Sequence, residues 1–286
     1  MAISRLSRNL KAKLPPVSGS MRSFANLSLD RPLIMGIVNV TPDSFTDGGE
    51  FFDAASAVDH GKKLLDDGAD ILDIGGESTR PGASPVRSPE EADRVLPVIE
   101  GLAKTGAVIS IDTRHANVMV SALDAGASIL NDVSALTGEG SLAVAAKSDA
   151  AIVLMHMKGE PATMMDNPAY EDVVGEVSNY LGARVAACVA AGIDKARIAI
   201  DPGFGFGKTR DHNLELINNL DQLQEHGCPI LVGLSRKFGK HKSPKDRLPE
   251  SLAVAVKSVL NGAEIVRVHD VAETRDALAA LRVEGA

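Results

Sequence analysis

Arg197-Ile198-Ala199-Ile200-Asp201-Pro202-Gly203-Phe204-Gly205-Phe206-Gly207-Lys208-Thr209 is the stretch that decides the fold. A short apolar run ends in a carboxylate and breaks at once into Pro and alternating Gly. That is the pattern of a strand feeding a loop at its C-terminal end. The loop carries a potential ligand (Asp201), two rings (Phe204 and Phe206) and a cation (Lys208). A loop that only turned the chain would not need two Phe between glycines. The pattern suits a flat ligand approached closely by backbone and rings. Two glycine motifs fail here by one residue each: a phosphate-binding P-loop needs Gly where Pro202 stands, and a dinucleotide fingerprint counted from Gly203 needs Gly where Lys208 stands. Lys208 therefore reads as a loop or helix-start residue rather than a phosphate ligand.

Strand followed by polar exit recurs along the whole chain. Short apolar runs occur at 33–38, 71–74, 107–111, 128–130, 151–155, 197–200, 229–232 and 264–268. Between most of them lie longer segments with apolar residues three and four apart, such as Leu214, Ile217, Leu220 and Leu223, which is the helical period. Gly-Ala pairs at 68–69, 106–107, 126–127 and 262–263 place a helix stop just before a strand. Eight strands alternating with helices over about 250 residues predict an α/β chain forming a single (β/α)8 TIM barrel, with a doubly wound sheet as runner-up. The strand ends favour the barrel. Asn39, Gly75-Gly76-Glu77, Asp112-Thr113, Asn131-Asp132, His156, Asp201, Ser235-Arg236-Lys237, Arg267 and His269 all lie at or just beyond one. A barrel brings these positions to one mouth. Any one alone would be ordinary, since Asn or Asp after a strand often caps the next helix; their concentration at strand ends points to a site.

Composition narrows the partners. The 286 residues carry a net charge of −8, which argues against nucleic acid. No apolar run approaches the roughly 20 residues of a membrane span. The two cysteines, Cys188 and Cys228, lack metal-type spacing and read as reduced thiols of a cytoplasmic protein. Residues 1–30 are basic and Ser-rich, with Pro15-Pro16 and no acid before Asp30; they are expected to be a flexible extension preceding a barrel domain over 31–286.

The mouth combines Asn39, Asp112, Asn131 and Asp201 with the cations Arg80, Lys237 and Arg267. Asp and Asn side chains can pair with a heterocycle that presents adjacent N–H groups, as a pterin or guanine ring does. The cations suit an anionic substrate bearing phosphate or carboxylate. The Cys/His grouping of a zinc site and the Gly-x-Ser-x-Gly elbow of a hydrolase are both missing. Residues 41–49 and 77–83 form two polar, Gly/Pro-punctuated stretches, expected to be mobile loops over the site.

Met35-Gly36-Ile37-Val38-Asn39-Val40-Thr41-Pro42-Asp43-Ser44-Phe45 and Asp73-Ile74-Gly75-Gly76-Glu77-Ser78-Thr79-Arg80-Pro81-Gly82 resemble the two signatures of the dihydropteroate synthases. The 201–208 loop resembles that family's Asp-Pro-Gly-x-Gly-Phe-x-Lys. Ile111-Asp112-Thr113, Asn131-Asp132, Met155-His156-Met157, Gly233-x-Ser235-Arg236-Lys237 and Arg267-x-His269-Asp270 follow in order. The resemblance runs from about residue 33 to 281 and implies a TIM barrel that condenses 6-hydroxymethyl-7,8-dihydropterin pyrophosphate with p-aminobenzoate. It implies that Asp112, Asn131, Met155, Asp201, Phe204, Gly233 and Lys237 form the pterin pocket. Thr79, Arg80, Pro81, Phe206 and Ser235 take the p-aminobenzoate side. Asn39, Arg80, Arg267 and His269 face the pyrophosphate, with Asn39 also touching Mg2+. Asp43, Ser44, Thr79 and Arg80 sit on the mobile loops. Asp112, Asp201, Lys237, Arg267 and His269 are the expected catalytic residues, and the family suggests a homodimer.

One segment departs from the family. Phe238-Gly239-Lys240-His241-Lys242-Ser243-Pro244-Lys245-Asp246 is basic and shorter than usual, so the p-aminobenzoate side is where an exception would fall. Two other readings remain at this stage. A methyltetrahydrofolate methyltransferase-like barrel would keep the Asp/Asn set without needing the Glu-Ser-Thr-Arg-Pro-Gly or Ser-Arg-Lys motifs. A non-catalytic pterin-binding paralogue rests on the 238–246 departure alone.

Overall fold

The computed structural model describes residues 22–41, 54–78, 86–161, 163–233 and 247–283. Eight parallel strands form one sheet. They are β1 (Leu33–Asn39), β2 (Ile71–Gly75), β3 (Val108–Asp112), β4 (Ile129–Asp132), β5 (Ala151–Met155), β6 (Ile198–Asp201), β7 (Leu231–Val232) and β8 (Ile265–Val268). Neighbours follow the order β6-β5-β4-β3-β2-β1-β8-β7. A parallel bridge between Ile200 and Ile230 joins the two ends, and the Ile200 N–H donates to the Pro229 carbonyl at 2.9 Å. The sheet closes there, as the alternation predicts. Helices α1 (Ala54–Asp66), α2 (Ser88–Ala103), α3 (Ala116–Asp124), α4 (Ser141–Lys147), α5 (Val173–Ala190), α6 (Arg210–Asn218), α7 (Leu248–Leu260) and α8 (Val271–Val283) fill the connections.

Strand alternation builds two cores. Outward residues such as Ile34, Leu72, Ile109, Leu130, Ile152 and Ile198 pack against the helices. Inward residues Leu33, Met35, Ile71, Ile129, Val153, Ala199, Leu231 and Ile265 fill the barrel. Two residues further along, the inward position becomes polar: Ile71 is followed by Asp73, Ile129 by Asn131, Ala199 by Asp201 and Ile265 by Arg267. Because the side-chain period of a strand is two, these polar groups share the interior with the apolar layers but lie nearer the C-terminal mouth. Gly68 (φ 106°) and Gly126 (φ 114°) end α1 and α3 in the left-handed region, as their Gly-Ala context suggests. A capping box starts α6, with Thr209 Oγ1 accepting from the His212 N–H at 3.2 Å.

Three boundaries differ from the sequence reading. The helix expected across 213–225 is broken at Asn219 into α6 and a 3-10 helix, Leu220–His226. The Asn219 amide donates to the Glu215 carbonyl at 2.8 Å, offering the backbone an alternative to the helical ladder. Helix α4, seven residues long, is too short to show a clear apolar period. Residues 22–30, grouped by composition with the extension, include an antiparallel hairpin, Ser23–Phe24 with Leu27–Ser28. Phe24 is 1% exposed and belongs to the same buried cluster as Leu33, Met35 and Ile71 in the barrel core. The hairpin therefore packs onto the barrel; Ala25, Leu27 and Leu29 lie against the same cluster. Phe24→Ala is expected to cost about 3 kcal/mol or more in stability, the scale of deleting a buried aromatic side chain. A thermal melt measures this, and substrate KM values should stay unchanged because the strand ends that bear the site lie at the other mouth.

Among the described residues no helix is long and apolar enough to cross a membrane. Cys188 and Cys228 are buried free thiols, and burial raises both pKa values.

Candidate active site

A buried ionic row occupies the C-terminal half of the barrel interior. Asp73, on β2, is fully buried. Arg267, on β8, donates from Nε to Asp73 Oδ2 at 2.5 Å and from Nη2 to Asp112 Oδ2 at 2.8 Å. The Asn131 amide donates to both oxygens of Asp73, at 3.3 and 3.2 Å. The registers Gly75↔Asp112 and Asp112↔Asn131 set Asp112 between those neighbours. Gly75 lies directly beside it; a Cβ there would meet Asp112 Cβ at 3.5 Å, an ordinary contact distance.

Electrostatics follow from this crowding. Burial, then repulsion from Asp73, pushes the Asp112 carboxyl up to about 7, against the pull of Arg267. Arg267 is held more firmly cationic than a free guanidinium by Asp73 and Asp112, which outweigh its own desolvation. Its Nη1 makes no hydrogen bond among the described residues. Asp201, on β6 and 6% exposed, accepts from the Gly203 N–H at 2.7 Å through Oδ1. A Cβ on Gly233, after β7, would lie 4.0 Å from Asp201 Oδ2 and 3.9 Å from Arg267 Cδ, so this glycine stands against the row. At the ends of β1 and β8, Asn39 Nδ2 and His269 Nε2 are 3.5 Å apart.

An apolar wall adjoins the row. Met155, Phe206, Val133 and Met164 form one buried cluster with Met157 against it. Phe204, expected as a wall of the pterin pocket, is 1% exposed and belongs to the helix-side core instead. Full burial of its ring among aliphatic side chains is the stabilising alternative.

The structure thus places Asn39, Asp112, Asn131, Asp201, Arg267 and His269 at the strand ends of one mouth, as the strand-end pattern predicts, with Met155 and Phe206 in the adjoining apolar cluster and Gly233 against Asp201 and Arg267. Asp43, Ser44, Thr79, Arg80, Pro81, Ser235 and Lys237, together with the 238–246 segment, lie outside the described residues.

The comparisons with known proteins agree with this geometry. Residues 35–269 match a family model described as pterin binding enzyme. A dihydropteroate synthase of Neisseria meningitidis serogroup C is 51% identical over 268 residues, 91% of this chain and 95% of that protein. The chain belongs to the dihydropteroate synthase family. A solved dihydropteroate synthase of Xanthomonas albilineans with 4-aminobenzoic acid superposes with a TM-score of 0.85 at 49% identity, covering 90% of this chain and 94% of that one. Another from that organism, in complex with 7,8-dihydropteroate, gives 0.82 at 46% identity over 90% and 95%.

For three groups at the mouth of this family's barrel, sequence reasoning gave at most a place and not a partner. Asp73 stands mid-strand in an apolar run, and only its inward register marks it. Glu77 accepts from Arg114 Nε and Nη2 at 3.2 and 3.0 Å, tying the exit of β2 to that of β3. Lys208 is a third, and its role is larger than a loop residue's.

Proposed function

We infer that the mouth condenses 6-hydroxymethyl-7,8-dihydropterin pyrophosphate with p-aminobenzoate to give 7,8-dihydropteroate and pyrophosphate, with the following division of labour. The buried row carries this reading: acceptors from Asp112, Asn131 and Asp201 converge beside a fixed cation, the arrangement a heterocycle with adjacent N–H groups requires. Asp112, Asn131 and Asp201 hold the pyrimidine edge, Met155 forms an apolar wall, Gly233 lets the ring come close, and Lys237 bonds a ring acceptor. Burial pushes the Asp112 carboxyl up to about 7, and hydrogen bonds from the pterin N–H groups would favour its charged form. Arg267 Nη1, His269 and Asn39 face the diphosphate.

The bond from the methylene carbon to the diphosphate oxygen breaks, and the carbon gains cation character shared with the electron-rich ring. Asp112 and Asp201 stabilise that positive charge; Arg267 and His269 stabilise the negative charge that departs. The aniline nitrogen attacks, forms the new C–N bond and sheds a proton. Its ring lies beside Phe206, with Thr79, Arg80, Pro81 and Ser235 completing that side. Asp43 and Ser44 close over the leaving group and keep out water, which would otherwise capture the carbon.

Mg2+ is the metal expected here. Among the described residues no group of three His, Cys, Asp or Glu side chains could hold an ion. A lone Asn39 amide oxygen suits an ion carried mainly by the substrate's phosphates, the usual mode for Mg2+. Bound there, the ion would neutralise charge on the leaving diphosphate. We further propose a cytoplasmic homodimer, competed by sulfonamides as mimics of p-aminobenzoate. The test is pyrophosphate release from the pterin substrate with and without p-aminobenzoate. Release coupled to a pteroate product supports the synthase; pterin binding without release would support a non-catalytic paralogue.

A further inference from the structure

Lys208 is 1% exposed, among the most deeply buried large side chains of the molecule. Its ammonium joins two strand exits. Nζ lies 2.9 Å from His156 Nδ1 and 3.3 Å from the His156 carbonyl, beyond β5. It also lies 2.9 Å from the Gly203 carbonyl and 3.1 Å from the Phe206 carbonyl, beyond β6. Three N–H donors thus face four acceptors. Burial, then the charge of Lys208, depresses His156 to about 3. The ring is neutral at physiological pH, so Nδ1 accepts from Lys208 and the proton sits on Nε2.

The two exits are pressed together. Gly203 has φ +68°, and a Cβ there would lie 1.8 Å from the His156 carbonyl oxygen. Gly207 has φ +64°, and its Cβ would lie 2.2 Å from the Lys158 carbonyl oxygen. No side chain fits at either place. The Tyr170 hydroxyl donates to the Gly207 carbonyl at 2.9 Å, fastening the far end of the loop. Within it the Phe206 N–H donates to the Gly203 carbonyl at 3.1 Å, the same oxygen that Lys208 holds. The Phe206 ring emerges from this frame into the cluster with Val133, Met155 and Met164.

We infer that Lys208 is a positioning residue for the condensation: by locking the exits of β5 and β6 together, it sets where Phe206 stands beside the p-aminobenzoate ring. The inference rests on the reading of Phe206 given under Proposed function. Asp112, Asn131 and the Asp73–Arg267 pair are anchored on other strands, and Met155 and Asp201 are held within β5 and β6 themselves, before the exits that Lys208 joins, so pterin binding is expected to depend on Lys208 less than second-substrate binding does.

The test compares the wild type with Lys208→Met, Lys208→Gln, His156→Phe and Phe206→Ala. It measures the KM of p-aminobenzoate, kcat, and the Kd of 6-hydroxymethyl-7,8-dihydropterin by titration. Lys208→Met is expected to raise the KM of p-aminobenzoate about tenfold or more, the scale of a small misplacement at a reacting centre, with the pterin Kd within about threefold. Lys208→Gln keeps two N–H donors and should recover most of the loss. His156→Phe removes one acceptor and leaves the ammonium; it should raise the same KM by about threefold, a readout that survives if Lys208→Met does not fold. If Phe206→Ala raises the KM while Lys208→Met, Lys208→Gln and His156→Phe leave it unchanged, the positioning role is wrong and the reading of Phe206 stands. If Phe206→Ala leaves it unchanged, the reading of Phe206 fails and takes the inference with it.

Discussion

Asp201→Ala is expected to lower kcat/KM at least about a hundredfold, roughly 2.7 kcal/mol of transition-state stabilisation. The two oxygens of the carboxylate differ in their surroundings. Oδ1 accepts from the Gly203 N–H at 2.7 Å and shapes the loop. Oδ2 is the oxygen near Gly233 and the one proposed for the pterin edge. Asp201→Asn should therefore keep the loop while losing the charge that favours a cation-like pterin. It should fold as stably as the wild type and still lose activity about tenfold or more, because an amide offers a weaker acceptor to a developing positive charge. Steady-state kinetics and a thermal melt, run on both variants, measure this. Near-normal turnover in Asp201→Ala would remove Asp201 from the mechanism.

Arg267→Met should damage stability and activity together, for a different reason. Among the described residues the guanidinium is the one cation that pairs with Asp73 and Asp112. Without it two carboxylates face each other in the barrel interior, one of them fully buried. Breaking a buried ion pair by removing one partner costs about 3–5 kcal/mol. Proton uptake by Asp112, already pushed upward, would offset part of this, so the variant should be more stable at pH 6 than at pH 8, the sign expected of a carboxylate whose folded-state pKa is raised. A second change, Asp73→Asn, removes one of the opposed charges. The double variant should regain about 1–3 kcal/mol relative to Arg267→Met, a coupling expected of groups in one network. Activity should not return, because the donor proposed for the diphosphate is still missing. Denaturant titration at two pH values, with turnover measured in parallel, would show this pattern. Recovery of turnover in the double variant would show that Arg267 serves only the fold.

Much of this was legible in the sequence because a barrel repeats one simple code. Each apolar run ends in a polar residue, and each helix before a strand can end in glycine, so Asn39, Asp112, Asn131, Asp201 and Arg267 declare their places by position alone. Roles, as distinct from places, came from the resemblance to the family. The remainder depended on facts that periodicity does not encode. Asp73 is marked only by its inward register inside an apolar strand. Phe204 and Phe206 look equivalent as rings between glycines, yet one enters the helix-side core and the other the mouth. Lys208 has the sequence context of a helix start, and Thr209 does cap α6; its burial follows from contacts with His156, fifty-two residues earlier. Phe24 was hidden by the composition of residues 1–30, although Ala25, Leu27 and Leu29 pack against the same cluster.

The most direct test of the central claim is a crystal structure of the protein with 7,8-dihydropteroate bound. The account predicts the pterin edge within hydrogen-bond distance of Asp112, Asn131 and Asp201, with the benzoate ring against Phe206 and Arg267 Nη1 aimed at the vacated diphosphate side. A pterin ring bound elsewhere, or bound at this mouth without contact to Asp112 and Asp201, would contradict it.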